Sequence, residues 1–373
     1  MEKTDILVVG AGPAGLTAAK ILGEAGKDVL VIDKLPKNKI GDKICTGALS
    51  KKSLGVVASL YPPIPDDIYD LYPGEWNAYV DVVGKRIYLG SGFGTAMIDR
   101  VKFGQWQLKI AEESGANMQF QGKAVAKKID LQKNILTLSN GDEIKYKIVV
   151  GADGAFSTVR RTLGLPNSGL IASSYKVPVK TKTMYWFIDF KKYGFSVPFI
   201  FPHGTHAYAG MWMYSQTPVS IEMAQQRFNK TCKRKFGFDF LRSGSSRDGK
   251  RGLWLINSNY NGFKFGNIYL IGDTMGAAET NYGEGIFWAL RSGELISKMI
   301  CGEDVEAEWN WFMRQKMKHD AIKPLLTIYE NPLIKLGATA SAPLVNLALR
   351  SGFANQFAIN ILKEIFLEGF VYR

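Results

Sequence analysis

The segment Asp5–Asp33, DILVVGAGPAGLTAAKILGEAGKDVLVID, restricts the fold more than anything after it. Asp5–Val9 is a short apolar run rich in β-branched residues, the pattern of a buried parallel strand. It runs into Gly10-Ala-Gly-Pro-Ala-Gly15, a G-x-G-x-x-G turn. The first glycine permits the tight turn, the second lets backbone approach a pyrophosphate, and the third lets helix pack on strand. The spacing predicts a helix from about Pro13 to Ala25, with free N–H groups and the positive dipole end facing that phosphate. Val29–Ile32 forms the next strand, and Asp33 follows where a carboxylate reaches ribose hydroxyls. Strand, turn, helix, strand and acid in register predict a dinucleotide site. By itself the unit fits NAD and FAD equally.

At 373 residues the chain has room for two domains or one elaborate one. Its three cysteines, Cys45, Cys232 and Cys301, are far apart, which predicts a reducing compartment and no disulfide framework. With only His203, His206 and His319, no histidine metal site is expected, and His203-x-x-His206 reads as an ordinary hairpin turn. The net charge of +13 favours an anionic partner: a phosphorylated substrate, an acidic membrane surface or a nucleic acid. The basic residues are densest over 227–251, but no zinc-finger spacing or RNA-binding motif accompanies them, so nucleic acid is not expected. No secretory signal precedes the strand at residue 5, and no apolar run approaches the ~18 residues of a spanning helix. The expected location is the cytoplasm or the periphery of a membrane.

After Asp33 comes a polar, glycine-bearing loop, 36–50, whose position sets Cys45 beside the ligand with Lys43 as neighbour. Residues 77–83 and 86–89 read as a hairpin, and Gly90–Gly94 as a flexible turn. A short strand and a helix follow over 97–115, with Arg100 ahead of the helix and free to reach a phosphate or ring. Residues 117–121, 124–130, 135–139 and 144–150 read as a meander of strands, its last member ending in Asp153-Gly154. Segment 174–216 is β-rich and aromatic, and its alternation predicts an antiparallel sheet with one apolar face, a wall for a greasy substrate. Residues 219–236 read as a helix. Asn267–Asp273 is a third buried strand ending in Gly-Asp, followed by a glycine loop and a helix over 286–301. The remainder, 305–373, has a helical pattern, with uncharged stretches at 336–349 and 351–362 that suit packed helices or a lipid-facing pair.

Three separated motifs, GAGPAG with Asp33, GADGAFSTVR and YLIGDTMGAAETNYGEG, together resemble the FAD-dependent family built on the p-hydroxybenzoate hydroxylase fold. The resemblance implies an α/β chain: a Rossmann-type FAD-binding domain, an inserted antiparallel β-sheet substrate domain and a C-terminal helical region. The corresponding ranges are 1–60, 91–165 and 253–304 for FAD binding, 61–90 and 166–252 for substrate, and 305–373 for the helices. It further implies that Gly10, Gly12, Pro13, Ala14 and Gly15 hold the pyrophosphate, with Asp33 and Lys34 at the ribose and Val125 near adenine. Arg100 would lie near the ribityl and phosphate region, Asp153-Gly154 matches the motif shared between FAD and reductant contacts, Asp273 after Gly272 matches the acid that holds the ribityl chain, and Gly283, Gly285 and Ile286 would lie by the isoalloxazine.

Within that fold, Ile40–Ser50 (IGDKICTGALS) is similar to the loop of the geranylgeranyl reductases that carries a cysteine near the flavin, which puts Cys45 and Gly47 at the cofactor. The likeness implies hydride transfer from reduced flavin to a C=C bond of a prenyl lipid. Cys45 and Glu284 are then the candidate catalytic residues, and NAD(P)H or a ferredoxin the electron donor. The lipid-pocket signature Tyr-x-Trp-x-Phe-Pro departs here to Val197 and Phe199 before Phe201-Pro202, and Thr280, Glu284 and Trp288 also depart from the pattern. Two other readings stay open: an aromatic hydroxylase of the same fold, and a flavin-containing lipid-binding protein without turnover.

Overall fold

The computed structural model describes residues 1–120, 125–194, 196–214, 219–243, 253–279 and 283–320. The opening unit is β1 (Glu2–Val9), α1 (Pro13–Glu24) and β2 (Val29–Asp33). β3 (Ala48–Leu49), α2 (Lys51–Leu60), β4 (Tyr69–Leu71), β5 (Asn77–Val82), β6 (Lys85–Ser91) and β7 (Ala96–Ile98) follow. Next come α3 (Arg100–Glu113), β8 (Asn117–Phe120), β9 (Ala126–Asp130), β10 (Ile135–Leu138), β11 (Glu143–Gly151) and α4 (Thr158–Thr162). The second half holds β12 (Gly169–Val177), β13 (Thr183–Ile188), α5 (Phe190–Tyr193), β14 (Ser196–Pro202), β15 (Ala207–Tyr214), α6 (Ile221–Phe236) and α7 (Phe240–Ser243). It continues with β16 (Leu253–Asn257), β17 (Lys264–Phe265), β18 (Ile268–Leu270), α8 (Gly272–Met275), α9 (Ile286–Ile300) and α10 (Glu306–Asp320).

The first sheet runs β17-β18-β11-β1-β2-β8, with the five strands from β18 to β8 parallel. Leu7, Val8, Val31, Val149 and Val150 are wholly buried, as unbroken apolar runs in a two-sided parallel sheet must be. α1 packs so closely on α9 that a side chain at Gly293 would meet the Ala14 carbonyl at 2.6 Å. Of the expected meander, β9, β10 and β11 pair antiparallel, but β8 pairs in parallel with β2 at the sheet edge. The reason is that β8 follows helix α3, so it closes a crossover and not a hairpin.

The second sheet runs β16-β12-β15-β14-β13-β5-β6 and is antiparallel except for the parallel pair β5–β13. Both of its faces are apolar, where the alternation led us to expect one. Trp186, Phe199, Phe201 and Trp212 share a cluster on one face, and Tyr175, Phe187, Ile200 and Met211 share another with Phe228 and Cys232 of α6. α6 is the missing layer, capped by Ser220 and ended by Gly237 in the left-handed region (φ 74°).

Domain limits shift accordingly. β16 pairs with β12, so residues 253–257 belong to the second sheet and not to the dinucleotide-binding part. Tyr61 and Ile68 pack in the first core, whereas Leu71 and Trp76 pack in the second, so that boundary lies near 70 and not at 61. A small sheet, β3-β7-β4, sits at this junction. Of the C-terminal helical region, α10 is described; 321–373, with both uncharged stretches, and Thr280 lie outside the described residues.

Candidate active site

The carboxyl ends of β1, β11 and β18 face the second sheet across a cleft of about 1100 Å³. Ligands of open parallel sheets bind at such strand ends. A second cleft of about 1460 Å³ runs past Gly10, Asp33 and Lys34 to Val125, and the two share Gly12, Pro13, Lys43, Arg100, Gly154 and Trp254.

The three glycines of the turn differ in what holds them. Gly10 has φ 111°, and a side chain there would strike the Ala152 carbonyl at 2.4 Å. Gly15 lies beneath the turn, where a Cβ would come 1.9 Å from the Gly10 carbonyl; it lines neither cleft and serves helix–strand packing. Gly12 begins α1, lines both clefts, and its Cβ position meets no atom within 4 Å. The backbone at Gly12 and the open first turn of α1 form the cradle that a pyrophosphate needs. Asp33 accepts hydrogen bonds from the Ala11 and Leu35 amides (2.7 and 2.8 Å), tying the turn to β2. Burial pushes its carboxyl above the usual carboxylate range despite those amides.

Asp153 accepts from the Thr158 amide at 2.6 Å and from the Thr274 hydroxyl at 3.3 Å, and burial raises its pKa too. It joins the second motif to the third, since the Thr274 hydroxyl also receives the Gly154 amide at 2.8 Å. Arg160 is fully buried and donates to the carbonyls of Pro166, Asn259 and Thr274 and to the Asn261 side chain, which pins the loops around both clefts. Asp273 pairs with Lys43 at 2.9 Å, and the Lys43 ammonium lies 5.3 Å over the Trp254 ring. Gly272 (φ 56°) faces Ala14, and Gly283, Gly285 and Ile286 line the first cleft where α9 starts. Arg100, 3% exposed, lines both clefts from the first turn of α3.

Cys45 lines the first cleft, and its sulfur accepts from the Gly47 amide at 3.4 Å. Gly47 lines neither cleft; it turns behind the loop (φ 75°) against the Ile98 carbonyl and the His203 ring. Glu284 also differs from expectation. Its carboxylate lines neither cleft and is held at the start of α2 by the Ser50 and Ser53 hydroxyls and by Lys52 at 3.1 Å. Helix-start donors and a cation are the ordinary partners of a carboxylate, and they draw it away from the cleft. The far wall is Phe199, Phe201, Trp212, Trp254 and Ile256. Lys43, Arg160 and His203 were not given roles by the motifs; Lys43 stood inside the cysteine loop and Arg160 inside GADGAFSTVR, whereas His203 gave no signal beyond its turn.

A model of the FAD binding domain matches residues 3–48. The menaquinone reductase of Mycobacterium tuberculosis is 27% identical over 339 residues, which span 83% of this chain and 79% of that protein. Digeranylgeranylglycerophospholipid reductase 2 of Methanosphaera stadtmanae is 27% identical over 321 residues, 79% of this chain and 76% of that one. The chain is an FAD-dependent oxidoreductase akin to the geranylgeranyl reductases. Among solved structures, a geranylgeranyl bacteriochlorophyll reductase-like protein from Thermoplasma acidophilum superposes on this oxidoreductase with a TM-score of 0.68 and 20% identity, over 93% of this chain and 88% of that chain. A probable FAD-dependent monooxygenase from Pseudomonas aeruginosa does so with a TM-score of 0.58 and 17% identity, over 86% and 94%. At such identities these two establish the fold. Among the described residues, no helix is long and apolar enough to cross a membrane.

Proposed function

We propose that this oxidoreductase saturates C=C bonds of an isoprenoid lipid. The observation that carries the reading is the first cleft itself: an aromatic and aliphatic wall, Phe199, Phe201, Trp212 and Ile256, set opposite the Cys45 loop and the start of α9. Such a surface favours a hydrocarbon chain and offers little to a small polar substrate. The residues present fit FAD, because the cradle at Gly12 and the acid at Asp33 open on one continuous groove that reaches the apolar wall. FAD bound there supplies the hydride that one alkene carbon receives.

The chain's own residues would then do four things. Gly12 and the first turn of α1 hold the pyrophosphate, with Asp33 at the ribose. Asp273, with Lys43 beside it, orients the chain linking pyrophosphate to ring. The aromatic wall excludes water and aligns the alkene. Cys45 stands on the cleft wall as the side chain that faces the second carbon, where a proton must arrive from the thiol or from water. Glu284 drops out of this role, since its carboxylate is engaged at α2. The substrate is proposed to come from a membrane surface, with NAD(P)H or a ferredoxin as electron source.

The test is anaerobic. Chemically reduced, FAD-loaded protein is mixed with a polyprenyl lipid, flavin absorbance is followed, and product is weighed by mass spectrometry. The expected product gains one pair of hydrogens per saturated bond, and Cys45→Ala slows turnover more than it lowers FAD content. Flavin that reoxidises only with oxygen and yields a hydroxylated product would replace the reading with the hydroxylase. No reoxidation by any alkene, with lipid still bound, would leave a binding protein.

A further inference from the structure

The loop that carries Cys45 is anchored from behind by His203. This residue stands in the turn between β14 and β15, and its side chain is 0% exposed. Its Nδ1 lies 2.7 Å from a carboxylate oxygen of Asp70, and its Nε2 lies 2.6 Å from the carbonyl oxygen of Thr46, next to Cys45 on the cleft wall. A carbonyl oxygen only accepts, so Nε2 bears a hydrogen. An ionised carboxylate only accepts as well, so Nδ1 bears one too. Neutral imidazole has a single N–H, and therefore both bonds are satisfied only by the imidazolium. The alternative, a protonated Asp70 beside a neutral ring, is disfavoured because the Asp70 side chain is 26% exposed and water stabilises its charged form.

We propose that His203 is a positioning residue that holds the Cys45 loop as a buried imidazolium paired with Asp70. The room for it is specific: a Cβ at Gly47 would come 2.8 Å from the His203 ring, so glycine is what lets the loop sit on the imidazole. The clamp joins the hairpin of the second sheet to β4, which carries Asp70, and to the chain entering β3. His206 stacks on His203 at 4.9 Å, and Tyr208 packs edge-on against both rings. Burial, and then the neighbouring His203, lower the His206 pKa to about 4. The charged groups around the two rings are Asp70 on β4, Asp99 before α3 and Lys176 on β12. Asp70, His203 and His206 also offer ligand atoms within 4.8 Å of one another, but both His203 nitrogens are spent on hydrogen bonds.

Deprotonation breaks the clamp whichever proton leaves. With hydrogen kept on Nε2, a lone pair faces the Asp70 carboxylate; with hydrogen kept on Nδ1, the Thr46 carbonyl loses its donor. Asp70→Asn separates charge from geometry, because its amide can donate to Nδ1 of a neutral ring whose Nε2–H still reaches Thr46.

The experiment uses protein labelled with ¹⁵N at its three histidines, read by imidazole NMR in mildly alkaline buffer. One ring is expected with both nitrogens protonated, absent in His203→Gln and neutral in Asp70→Asn. Asp70→Asn, which can still hold a neutral ring whose Nε2–H reaches Thr46, should retain more turnover than His203→Gln. Three neutral imidazoles in the wild type, or a doubly protonated ring that persists in Asp70→Asn, overturn the proposal. If His203→Gln does not fold, Asp70→Asn makes the assignment. The NMR readout needs neither FAD nor substrate, so it stands or falls apart from the proposed reaction.

Discussion

The Gly10-Gly12-Gly15 motif predicts two different kinds of failure from one substitution, glycine to alanine. At Gly15 the new Cβ would sit 1.9 Å from the Gly10 carbonyl, and neither atom belongs to a flexible side chain. α1 must lift off the strand ends, an overpacking cost of about 1–3 kcal/mol. At Gly10 a Cβ would meet the Ala152 carbonyl at 2.4 Å with φ at 111°, which adds backbone strain of about 1–3 kcal/mol. At about 1–2 °C per kcal/mol for a chain of 373 residues, each of these variants should melt a few degrees lower without any ligand. Gly12 differs. Its backbone is extended (φ −78°, ψ −179°) and its Cβ position is open, so alanine should change stability by no more than ~0.5 kcal/mol. That Cβ would instead project into both clefts and hold a pyrophosphate away from the α1 amides. Losing one such charge-assisted hydrogen bond costs about 1.5–3 kcal/mol, which is roughly ten- to a hundredfold in affinity. Thermal unfolding of cofactor-free protein, paired with FAD titration by fluorescence quenching, separates the cases. A Gly12→Ala variant that melts with the other two, or that binds FAD like wild type, refutes the reasoning.

Other substitutions test the remaining parts of the site. Glu284→Gln should lose about 1–2 kcal/mol, because a hydrogen-bonded carboxylate at the start of α2 becomes a poorer acceptor, while alkene-dependent flavin reoxidation stays within a fewfold of wild type; a thousandfold loss would return Glu284 to catalysis. Arg160→Met should lower stability in urea unfolding, since three buried carbonyls each lose a donor whose absence costs about 1–3 kcal/mol, and FAD content should fall with it. Iodoacetamide on the native protein should label Cys45 and Cys301 before Cys232, whose thiol is pushed up by burial under the second sheet; peptide mapping that finds Cys232 first would contradict that packing.

What the sequence revealed, and what it hid, divides along local and non-local lines. The opening unit was readable because its determinants are contiguous: strand, turn, helix and Asp33 within one stretch. β8 was misread because alternation cannot say which neighbour a strand chooses; its partner β2 lies 87 residues upstream (Leu30 opposite Asn117), across α3. α6 was correctly placed along the chain, but nothing local said that it would cover the second sheet and so make both faces apolar. Glu284 was singled out by its place in a glycine loop, yet its partners Ser50, Lys52 and Ser53 are more than two hundred residues away and decide where the carboxylate points. The Asp70–His203 pair is a still clearer case, with 133 residues between its members and no motif in either.

The same distinction bears on the weakest part of the family likeness, Val197 and Phe199 in place of Tyr and Trp. Read along the strand, the departure looks like an aromatic wall losing its bulk. Across the sheet, Val197 on β14 pairs with Trp212 on β15, which in turn pairs with Ala172 on β12, and Ala172 pairs with Trp254 on β16. Partners in register point to the same face, so one row reads Trp254, Ala172, Trp212, Val197. The next row over β12, β15, β14 and β13 reads Ser174, Gly210, Phe199, Trp186. Each row sets indole or phenyl rings beside small residues, and Trp212 stacks on Phe199 at 5.2 Å and 28°. The indole absent at 199 and the ring absent at 197 are thus answered by Trp212 from the neighbouring strand. The surface facing the flavin groove is a property of rows, not of strands, and a signature written along one strand undercounts it. What the swap does change is the outline of the wall: bulk moves one strand toward β12, and the floor between Trp212 and Trp254 is left to Ala172. A furrow bounded by two indoles and floored by alanine leaves room for a narrow chain laid lengthwise, as the methyl-branched chain of the proposed prenyl substrate would lie, and is a poor seat for a broad fused ring.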